Sequence, residues 1–142
     1  DPANPAAYDA RIMDAGGLDL QLLGIGFNGH IAFNEPVSAS KISAEDFAVL
    51  PTRVIRLKEL TIRTNAALTA GGDLASVPRQ AVTMGMRQIL AARDILLMAC
   101  FTEQTAPLRL LKAGRVSTET PASFLLNHPS VEVIYTTDTI TV

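Results

Sequence analysis

Apolar residues along the chain are grouped in short segments with two different spacings, one typical of strands and one typical of helices. Mostly apolar runs predict strands at residues 18–23, 53–57, 80–83, 94–101 and 131–135. Between them, helical spacing together with proline and glycine signals predicts helices at residues 5–15, 60–68, 86–92, 105–113 and 121–127. Strands that alternate with helices in this way predict an α/β fold with a parallel or mixed sheet and flanking helices.

Three details of the pattern predict which parts of the chain are buried. The near-continuous apolar character of residues 18–23 is typical of a strand covered on both faces, as in parallel sheets. Cys100 lies within the most apolar predicted strand, so we expect it to be a small core residue. Residues 36–50 have no clear periodicity and predict a long connection, of the kind that often forms a lid or a binding loop.

The composition is that of an ordinary folded domain. With 142 residues, 48% of them hydrophobic and 18% charged, residues 1–142 are expected to form a single domain with its own core. A net charge of −2 gives no electrostatic reason to expect nucleic acid, and no apolar run approaches the length of a membrane span. The single cysteine excludes an internal disulfide and favours a reducing cytoplasm. Because Asp1 stands where an initiator methionine would, we treat the chain as part of a longer protein.

The segment with the clearest chemical potential, residues 24–36, follows the first predicted strand. Gly24, Gly26 and Gly29 allow a tight turn and a close approach of the backbone to a ligand. In open α/β sheets, ligands bind beyond the carboxyl ends of the strands, which is where this segment lies. Its polar side chains are Asn28, His30, Asn34 and Glu35.

His30 and Glu35 together suggest proton transfer. An imidazole exchanges protons near neutral pH, and a carboxylate close in sequence can orient the ring and support its cation. The alternative is a turn with a capping asparagine and a hydrogen-bonded histidine that takes no part in catalysis. From the residues alone, both interpretations stay open.

Several motifs, in the same order, resemble those of the glucosamine-6-phosphate deaminases. Residues 24–36 resemble that family's GIG-x-NGHI-x-FNEP signature. Residues 17–20 resemble its GG-x-DL lead-in, residues 52–54 its TRV, residues 78–85 its VPKxALTMG and residues 121–129 its PASFLxxHP. The resemblance runs from Gly16 to Tyr135, which is most of the chain, and it points to the C-terminal part of a protein of this kind.

The resemblance implies a Rossmann-like fold and an enzyme that converts an amino-sugar 6-phosphate to a ketose 6-phosphate and ammonia. It implies that His30 opens the sugar ring by moving a proton to and from the ring oxygen, while Glu35 and Asn28 hold and tune this histidine. Gly26 and Gly29 are candidates for substrate binding, because glycines there let the backbone approach a ligand closely.

Arg53 is a further candidate for substrate binding. It either reaches a bound anion or an allosteric effector, or pairs on the surface, and both alternatives stay open. His128 is expected to be structural, because Pro129 fixes the local chain. Phe33 is expected to pack under the loop rather than to stack on a sugar. As partners we expect a small-molecule sugar phosphate, no nucleic acid and no membrane, with no cofactor and no metal ion, and a homo-oligomer is left open.

The chain departs from the family in the residues that grip the phosphate. The family's arginine aligns with Ala67, and its lysine falls near Gln104 or Thr105. The family's phosphate loop and its proton-transferring aspartate belong to an N-terminal half that this chain does not include, so we expect the chain alone to be almost inactive. Residues 115–123 resemble the neighbouring galactosamine-6-phosphate isomerases, which keeps that substrate open.

Three other functions stay open: a sugar-phosphate-binding regulatory domain without catalysis, a catalytically dead structural subunit, and a hydrolase like the 6-phosphogluconolactonases. Retention of Asn28, His30 and Glu35 argues against a regulatory domain, which needs no proton shuttle. The Asn-Glu-Pro sequence at residues 34–36 argues against the lactonases, which share a glycine–histidine loop but continue differently after it.

Overall fold

Helices and strands alternate along the computed structural model, which describes residues 2–142. The elements are α1 (Ala6–Asp14), β1 (Leu20–Gly24), α2 (Ala44–Ala48), β2 (Arg53–Arg56), α3 (Glu59–Thr69), β3 (Gln80–Thr83), α4 (Met86–Leu90), β4 (Asp94–Ala99), α5 (Thr105–Lys112) and β5 (Val131–Tyr135). Short 3₁₀ helices lie at Leu74–Ser76, Thr102–Gln104 and Pro121–Asn127. Every strand and helix predicted from the sequence is present, with ends that differ by a few residues.

Two separate sheets organise the strands. A three-stranded parallel sheet has the order β1-β4-β5, and β2 pairs with β3 in an antiparallel hairpin. The parallel sheet aligns the carboxyl ends of β1 and β4, so the loops that follow these two strands emerge side by side. The predicted α/β class, with a sheet of parallel strands and accompanying helices, is confirmed.

The main hydrophobic core lies on one face of the parallel sheet. The strands contribute Leu23, Ile95 and Leu97, which are at most 5% exposed. Helices and loops cover this face with apolar side chains, among them Met86, Ile89, Leu108, Leu111, Phe124 and Leu125. A smaller cluster of Leu57, Ile62, Ala66 and Val77 packs α3 against the hairpin. The two clusters fix the loop after β1 between the sheet and α3.

The other face of the parallel sheet is open to solvent. Leu20 and Leu22 are 55% and 54% exposed, and Met98 and Ile134 are 43% and 48% exposed. The prediction that residues 18–23 are buried on both faces is therefore wrong, because the described helices pack on one face only. Cys100, two residues beyond Met98, is also exposed, so its predicted place in the core is wrong for the same reason.

Part of the predicted long connection at residues 36–50 is a helix. The Ser43 hydroxyl accepts a hydrogen bond from the Asp46 N–H at 3.0 Å and so caps α2 at its start. Phe47 on α2 is fully buried, and its ring centre lies 5.2 Å from that of Phe124. The expectation of an irregular connection is wrong here, because one aromatic side chain anchors the segment in the core.

A buried carboxylate holds α1 against the start of β2. Asp9 is 3% exposed and accepts hydrogen bonds from the Thr52 N–H at 3.1 Å, the Thr52 hydroxyl, and Arg87 at 2.9 Å. Burial alone would raise the pKa of Asp9, but these donors together lower it below its usual value. Within residues 2–142, no helix is long and apolar enough to cross a membrane, and no cluster of three or more metal-binding side chains is found.

Candidate active site

The loop after β1 turns back on itself. The Gly26 N–H donates to the His30 carbonyl and the Gly29 N–H to the Gly26 carbonyl, each at 2.8 Å. Gly29 has a positive φ of 85°, a conformation that favours glycine. Ile25 and Ile31, which are 3% and 0% exposed, pair as an isolated bridge and fix both ends of the turn in the core. His30 is thereby held on a short segment with little freedom to move.

Gly26 is needed for the position of the His30 ring. A Cβ atom at this residue would lie 2.4 Å from both Cε1 and Nε2 of His30, far inside van der Waals contact. The imidazole therefore lies directly against the backbone of residue 26. A larger side chain there would displace the ring.

Glu35 and Thr61 contact the Nδ1 nitrogen of His30. The Nδ1 atom lies 3.5 Å from the Glu35 Oε2 atom and 3.5 Å from the Thr61 hydroxyl. The side chains of His30 and Glu35 are only 13% and 9% exposed. Since Nδ1 faces these oxygens, Nε2 is the nitrogen left for a ligand, and it forms no hydrogen bond with any residue from 2 to 142. This is the arrangement that a proton-transferring histidine requires.

Asn28 acts on Glu35 and on the backbone rather than on the imidazole. Its Nδ2 donates to the Glu35 Oε2 at 2.8 Å, and its Oδ1 accepts the backbone N–H of His30 at 3.2 Å. The backbone N–H of Lys58, just before α3, donates to the other carboxylate oxygen at 3.1 Å. Glu35 is thus held from both sides.

Hydrogen bonds keep Glu35 ionised despite its burial. Burial alone would raise the pKa of this carboxyl group. Donors on His30, Thr61, Lys58 and Asn28 outweigh it and lower the pKa from 4.5 to about 2. At neutral pH the carboxylate is therefore charged and faces Nδ1 of His30.

Asn34 and Arg53 support the loop from beneath. Asn34 is fully buried and donates to the carbonyls of Ile31 at 3.2 Å and Met84 at 2.9 Å. Its Oδ1 accepts from the Arg53 guanidinium at 2.9 Å, and Arg53 also donates to the Pro51 carbonyl at 3.3 Å. Burial lowers the pKa of Arg53.

His30 lies in the wall of a pocket of about 160 Å³. Its lining residues are Ile25, Gly26, Phe27, Asn28, His30, Phe33, Leu60, Thr61, Thr64, Asn65, Leu68, Phe101 and Gln104. The walls are mostly apolar and aromatic, with hydroxyl and amide groups between them and no lysine or arginine. Ala67, at the position of the family's arginine, lines an adjoining pocket together with Arg63 and Glu103.

Gln104, near which the family's lysine is expected from the sequence to fall, hydrogen-bonds to the backbone through both of its side-chain polar atoms. Its Oε1 accepts the N–H groups of Cys100 and Phe101, each at 2.8 Å, and its Nε2 donates to the Ile25 carbonyl at 2.7 Å. This 6%-exposed side chain joins the end of β4 to the loop that carries His30. It positions the loop and has no hydrogen-bonding group left for a phosphate apart from one amide hydrogen.

The structure brings together four of the six site residues predicted from the sequence: Gly26, Asn28, His30 and Glu35. Of these four, Glu35 does not line the pocket itself and joins the group through His30 and Asn28. Gly29 and Arg53 do not line the pocket either. Gly29 instead packs against Thr120, and its carbonyl accepts the Ala122 N–H at 2.9 Å.

Phe33 packs under the loop, as expected, and also lines the pocket. It packs against the smaller core cluster, and its ring also lines the pocket, with its centre 5.8 Å from that of His30. His128 is structural, as expected, because its Nε2 donates to the Ala92 carbonyl at 2.8 Å and its Nδ1 accepts the Ser130 N–H at 3.1 Å.

Sequence analysis missed three residues of the site. At the start of α3, the Thr61 hydroxyl reaches the His30 ring and the Lys58 N–H reaches Glu35. Gln104 reaches the loop from the segment after β4. Thr61 gives no local signal, because polar residues such as Thr64 and Asn65 lie beside it on the same helix. Nothing in the sequence marks the Lys58 N–H.

Comparison with known proteins adds sequence relatives. The chain is 45% identical over 129 residues to a glucosamine-6-phosphate deaminase of Lysinibacillus sphaericus, which covers 91% of this chain and 50% of the relative. It is 44% identical over 135 residues to a glucosamine-6-phosphate deaminase of Mycolicibacterium smegmatis, covering 94% of this chain and 48% of the relative. No protein-family model matches the chain. The chain spans about half the length of the curated relatives it matches.

Solved structures with a similar fold include a deaminase and a lactonase. A monomeric glucosamine-6-phosphate deaminase is 36% identical and superposes with a TM-score of 0.84 over 96% of this chain and 53% of that protein. A 6-phosphogluconolactonase from Trypanosoma cruzi superposes with a TM-score of 0.63 over 94% of this chain and 48% of that protein. Its 21% identity shows a shared fold alone.

Proposed function

Because the chain is related by sequence and by fold to the glucosamine-6-phosphate deaminases over about nine tenths of its length, we propose that it carries the ring-opening half of an amino-sugar phosphate isomerase/deaminase. The reaction converts a hexosamine 6-phosphate to a ketose 6-phosphate and ammonia. The relatives are named for glucosamine, so we propose glucosamine 6-phosphate rather than galactosamine 6-phosphate as the substrate.

His30 is the proton shuttle in this proposal. Ring opening breaks the bond between C1 and the ring oxygen, delivers a proton to that oxygen and removes one from the C1 hydroxyl, which becomes the aldehyde oxygen. An imidazole can take one proton and return the other through the same nitrogen. The observation that carries the proposal is the geometry of His30, with Nδ1 against Glu35 and Nε2 unbonded in the pocket wall.

Glu35 and Asn28 hold the shuttle in place. The ionised Glu35 carboxylate lies 3.5 Å from Nδ1, where it favours a proton on that nitrogen and stabilises the cation that forms when Nε2 is protonated. Asn28 fixes the carboxylate by its 2.8 Å hydrogen bond. Gly26 leaves room for the His30 ring because it has no Cβ atom.

The remaining chemistry needs groups beyond this pocket. The transfer of a proton between C1 and C2 requires a second acid–base group, and a phosphate dianion requires cations or backbone donors. The residues that line the His30 pocket include no carboxylate, no lysine and no arginine. We propose that polypeptide outside residues 1–142 supplies both, in keeping with a chain that spans about half of its relatives.

Anomer exchange of glucosamine 6-phosphate tests the ring-opening step separately from deamination. NMR exchange spectroscopy measures the rate at which the α and β anomers interconvert with and without the chain. We expect the chain to accelerate this exchange, His30→Gln to remove the acceleration, and neither protein to release ammonia. Since a general acid–base group contributes roughly 10²–10⁴-fold, the loss should be clear. An exchange rate that is the same with the chain, with the variant and in buffer would contradict the proposal.

Two alternatives considered from the sequence, the lactonase and the regulatory domain, are not favoured. The lactonase structures resemble the chain at 15–22% identity, against 45% for a deaminase relative, and so support the fold only. A regulatory domain has no use for a charged carboxylate held against an imidazole. The His30–Glu35 contact therefore favours the enzyme.

A further inference from the structure

Thr61 places a buried hydroxyl at the contact between His30 and Glu35. The residue lies in the first turn of α3 and is only 3% exposed. Its Oγ1 atom lies 3.5 Å from Nδ1 of His30, the same distance that separates Nδ1 from Oε2 of Glu35. A buried hydroxyl needs hydrogen-bond partners, and no others are found for this one among residues 2–142. Its hydrogen bonds therefore belong to the imidazole and the carboxylate.

The numbers of protons and lone pairs decide how the three groups share these bonds. The Glu35 carboxylate is ionised and can only accept, whereas a threonine hydroxyl can both donate and accept. A hydroxyl donates more strongly to a charged carboxylate than to a neutral nitrogen. Thr61 therefore donates to Glu35, and this hydrogen bond is one of those that lower the pKa of Glu35. The hydroxyl oxygen is left to face His30 with a lone pair.

This direction of the hydroxyl is compatible with one tautomer of His30. A neutral imidazole carries its proton on Nδ1 or on Nε2. A proton on Nδ1 is shared between the two acceptor oxygens, whereas a lone pair on Nδ1 would face the lone pairs of both. Both distances are 3.5 Å, longer than the usual value of about 2.9–3.0 Å, as expected for one N–H shared between two acceptors. The proton on Nδ1 leaves Nε2 with its lone pair in the pocket.

We propose that Thr61 is a positioning residue that selects the Nδ1–H tautomer of His30, by donating a hydrogen bond to Glu35 and accepting one from the imidazole. The inference rests on the proposed function, in which Nε2 must be free to take a proton. The carboxylate contact alone is long for a hydrogen bond, so a second acceptor at the same distance strengthens the choice of tautomer. Glu35 supplies the charge beside Nδ1, and Thr61 joins that charge to the ring.

Heteronuclear NMR of the imidazole nitrogens measures the tautomer directly. The chain has only two histidines, so His30→Gln identifies the signals of His30 by their loss. At about pH 8.5, where an ordinary imidazole is neutral, each nitrogen signal is an average over the two tautomers. We expect the Nδ1 signal of His30 close to that of a protonated nitrogen. His128 serves as a reference with the opposite tautomer, because its Nε2 donates to the Ala92 carbonyl.

Three substitutions on α3 separate the hydroxyl from the rest of the helix. Thr61→Val replaces the hydroxyl with a methyl group of similar shape and should shift the tautomer ratio of His30 about threefold to tenfold toward Nε2–H, since the net contribution of one hydrogen bond corresponds to a ratio of this size. Thr61→Ser keeps the hydroxyl and should keep the ratio. Thr69→Val is the matched control, because its hydroxyl donates to the Asn65 carbonyl outside the pocket. It should also keep the ratio.

An unchanged tautomer ratio in Thr61→Val would overturn the proposal, and so would a proton on Nε2 of His30 in the unaltered chain. A shift of the same size in Thr61→Ser or Thr69→Val would overturn it as well, because the effect would then not belong to the Thr61 hydroxyl. Circular dichroism checks that the variants fold, and Thr61→Ala replaces Thr61→Val if that variant does not. The tautomer is measured without substrate, so a chain that fails to accelerate anomer exchange would count against the proposed function alone.

Discussion

Replacing Glu35 with glutamine separates the charge of this side chain from its shape. The carboxylate accepts hydrogen bonds from Asn28 at 2.8 Å and from the Lys58 N–H at 3.1 Å. A glutamine has one acceptor oxygen and turns an NH₂ donor toward the other contact. One of the two donors therefore loses its partner in a buried place, and His30 loses the charge beside Nδ1.

The contribution of Glu35 to the free energy of unfolding depends on pH, and its lowered pKa sets the direction of that dependence. The pKa of Glu35 falls from 4.5 to about 2 on folding, as its hydrogen bonds outweigh the opposing effect of burial. A carboxyl group whose pKa is lowered in the folded state stabilises the fold above its unfolded pKa, and this stability is lost as the pH falls toward its folded pKa. Linkage gives an upper limit of about 2 kcal/mol lost between pH 6 and pH 3, and screening by solvent reduces it to about 1 kcal/mol.

Urea unfolding of the chain at pH 6, 5, 4 and 3, followed by circular dichroism, measures this difference. We expect the free energy of unfolding of the unaltered chain to fall by about 1 kcal/mol more than that of Glu35→Gln across this range. Glu119→Gln, at an exposed glutamate in a loop outside the pocket, should follow the unaltered chain. Parallel pH profiles for the unaltered chain and Glu35→Gln would refute the assignment of a lowered pKa to Glu35.

Three further substitutions test the supports of the site and of the fold. Gly26→Ala places a methyl group against the His30 ring and should reduce chain-dependent anomer exchange at least about tenfold while circular dichroism stays native. Gln104→Leu leaves the Ile25 carbonyl and two N–H groups without this partner and should lower the free energy of unfolding in urea by about 2–3 kcal/mol. Asp9→Asn weakens the contacts between α1 and β2 and should cost about 2–3 kcal/mol at pH 7 but less at pH 3; an equal cost at both values would contradict the lowered pKa.

The sequence predicted best what is local in the chain. The turn at residues 24–31 forms from glycines and from two isoleucines only a few residues apart, and the two backbone hydrogen bonds that close it, from Gly26 to His30 and from Gly29 to Gly26, stay within the segment. His30 and Glu35 lie on the same segment, so their contact follows from a short stretch of backbone. The strands and helices were likewise visible because their spacing is a property of neighbouring residues.

Contacts between distant parts of the chain were not predicted. Thr61 and Lys58 reach the site because α3 packs on its own small cluster, and the arrangement of that cluster depends on the hairpin of β2 and β3. Gln104 reaches Ile25 only because β1 and β4 are neighbours in the sheet. Such pairings are set by the tertiary fold, and no local pattern encodes them.

The burial of β1 shows a different limit. The apolar run at residues 18–23 indicates a strand that can be covered on both faces. The pattern does not identify the polypeptide that covers each face. Leu23 is covered within this chain, whereas Leu20 and Leu22 are not. The prediction was wrong for residues 2–142 for this reason.

Asn28 places a neutral amide, rather than a second charge, beside the Glu35 carboxylate. The sequence predicts that this asparagine holds the imidazole. In the structure its NH₂ group donates to the Glu35 carboxylate, and its oxygen accepts the backbone N–H of His30. An amide can donate with one atom and accept with the other, and Asn28 does both. An aspartate would place a second carboxylate about 2.8 Å from Glu35, where like charges raise the pKa of at least one of them. With Asn28 in place, the single negative charge of the cluster stays on Glu35, against the nitrogen that holds its proton in the proposed mechanism while the other nitrogen reacts.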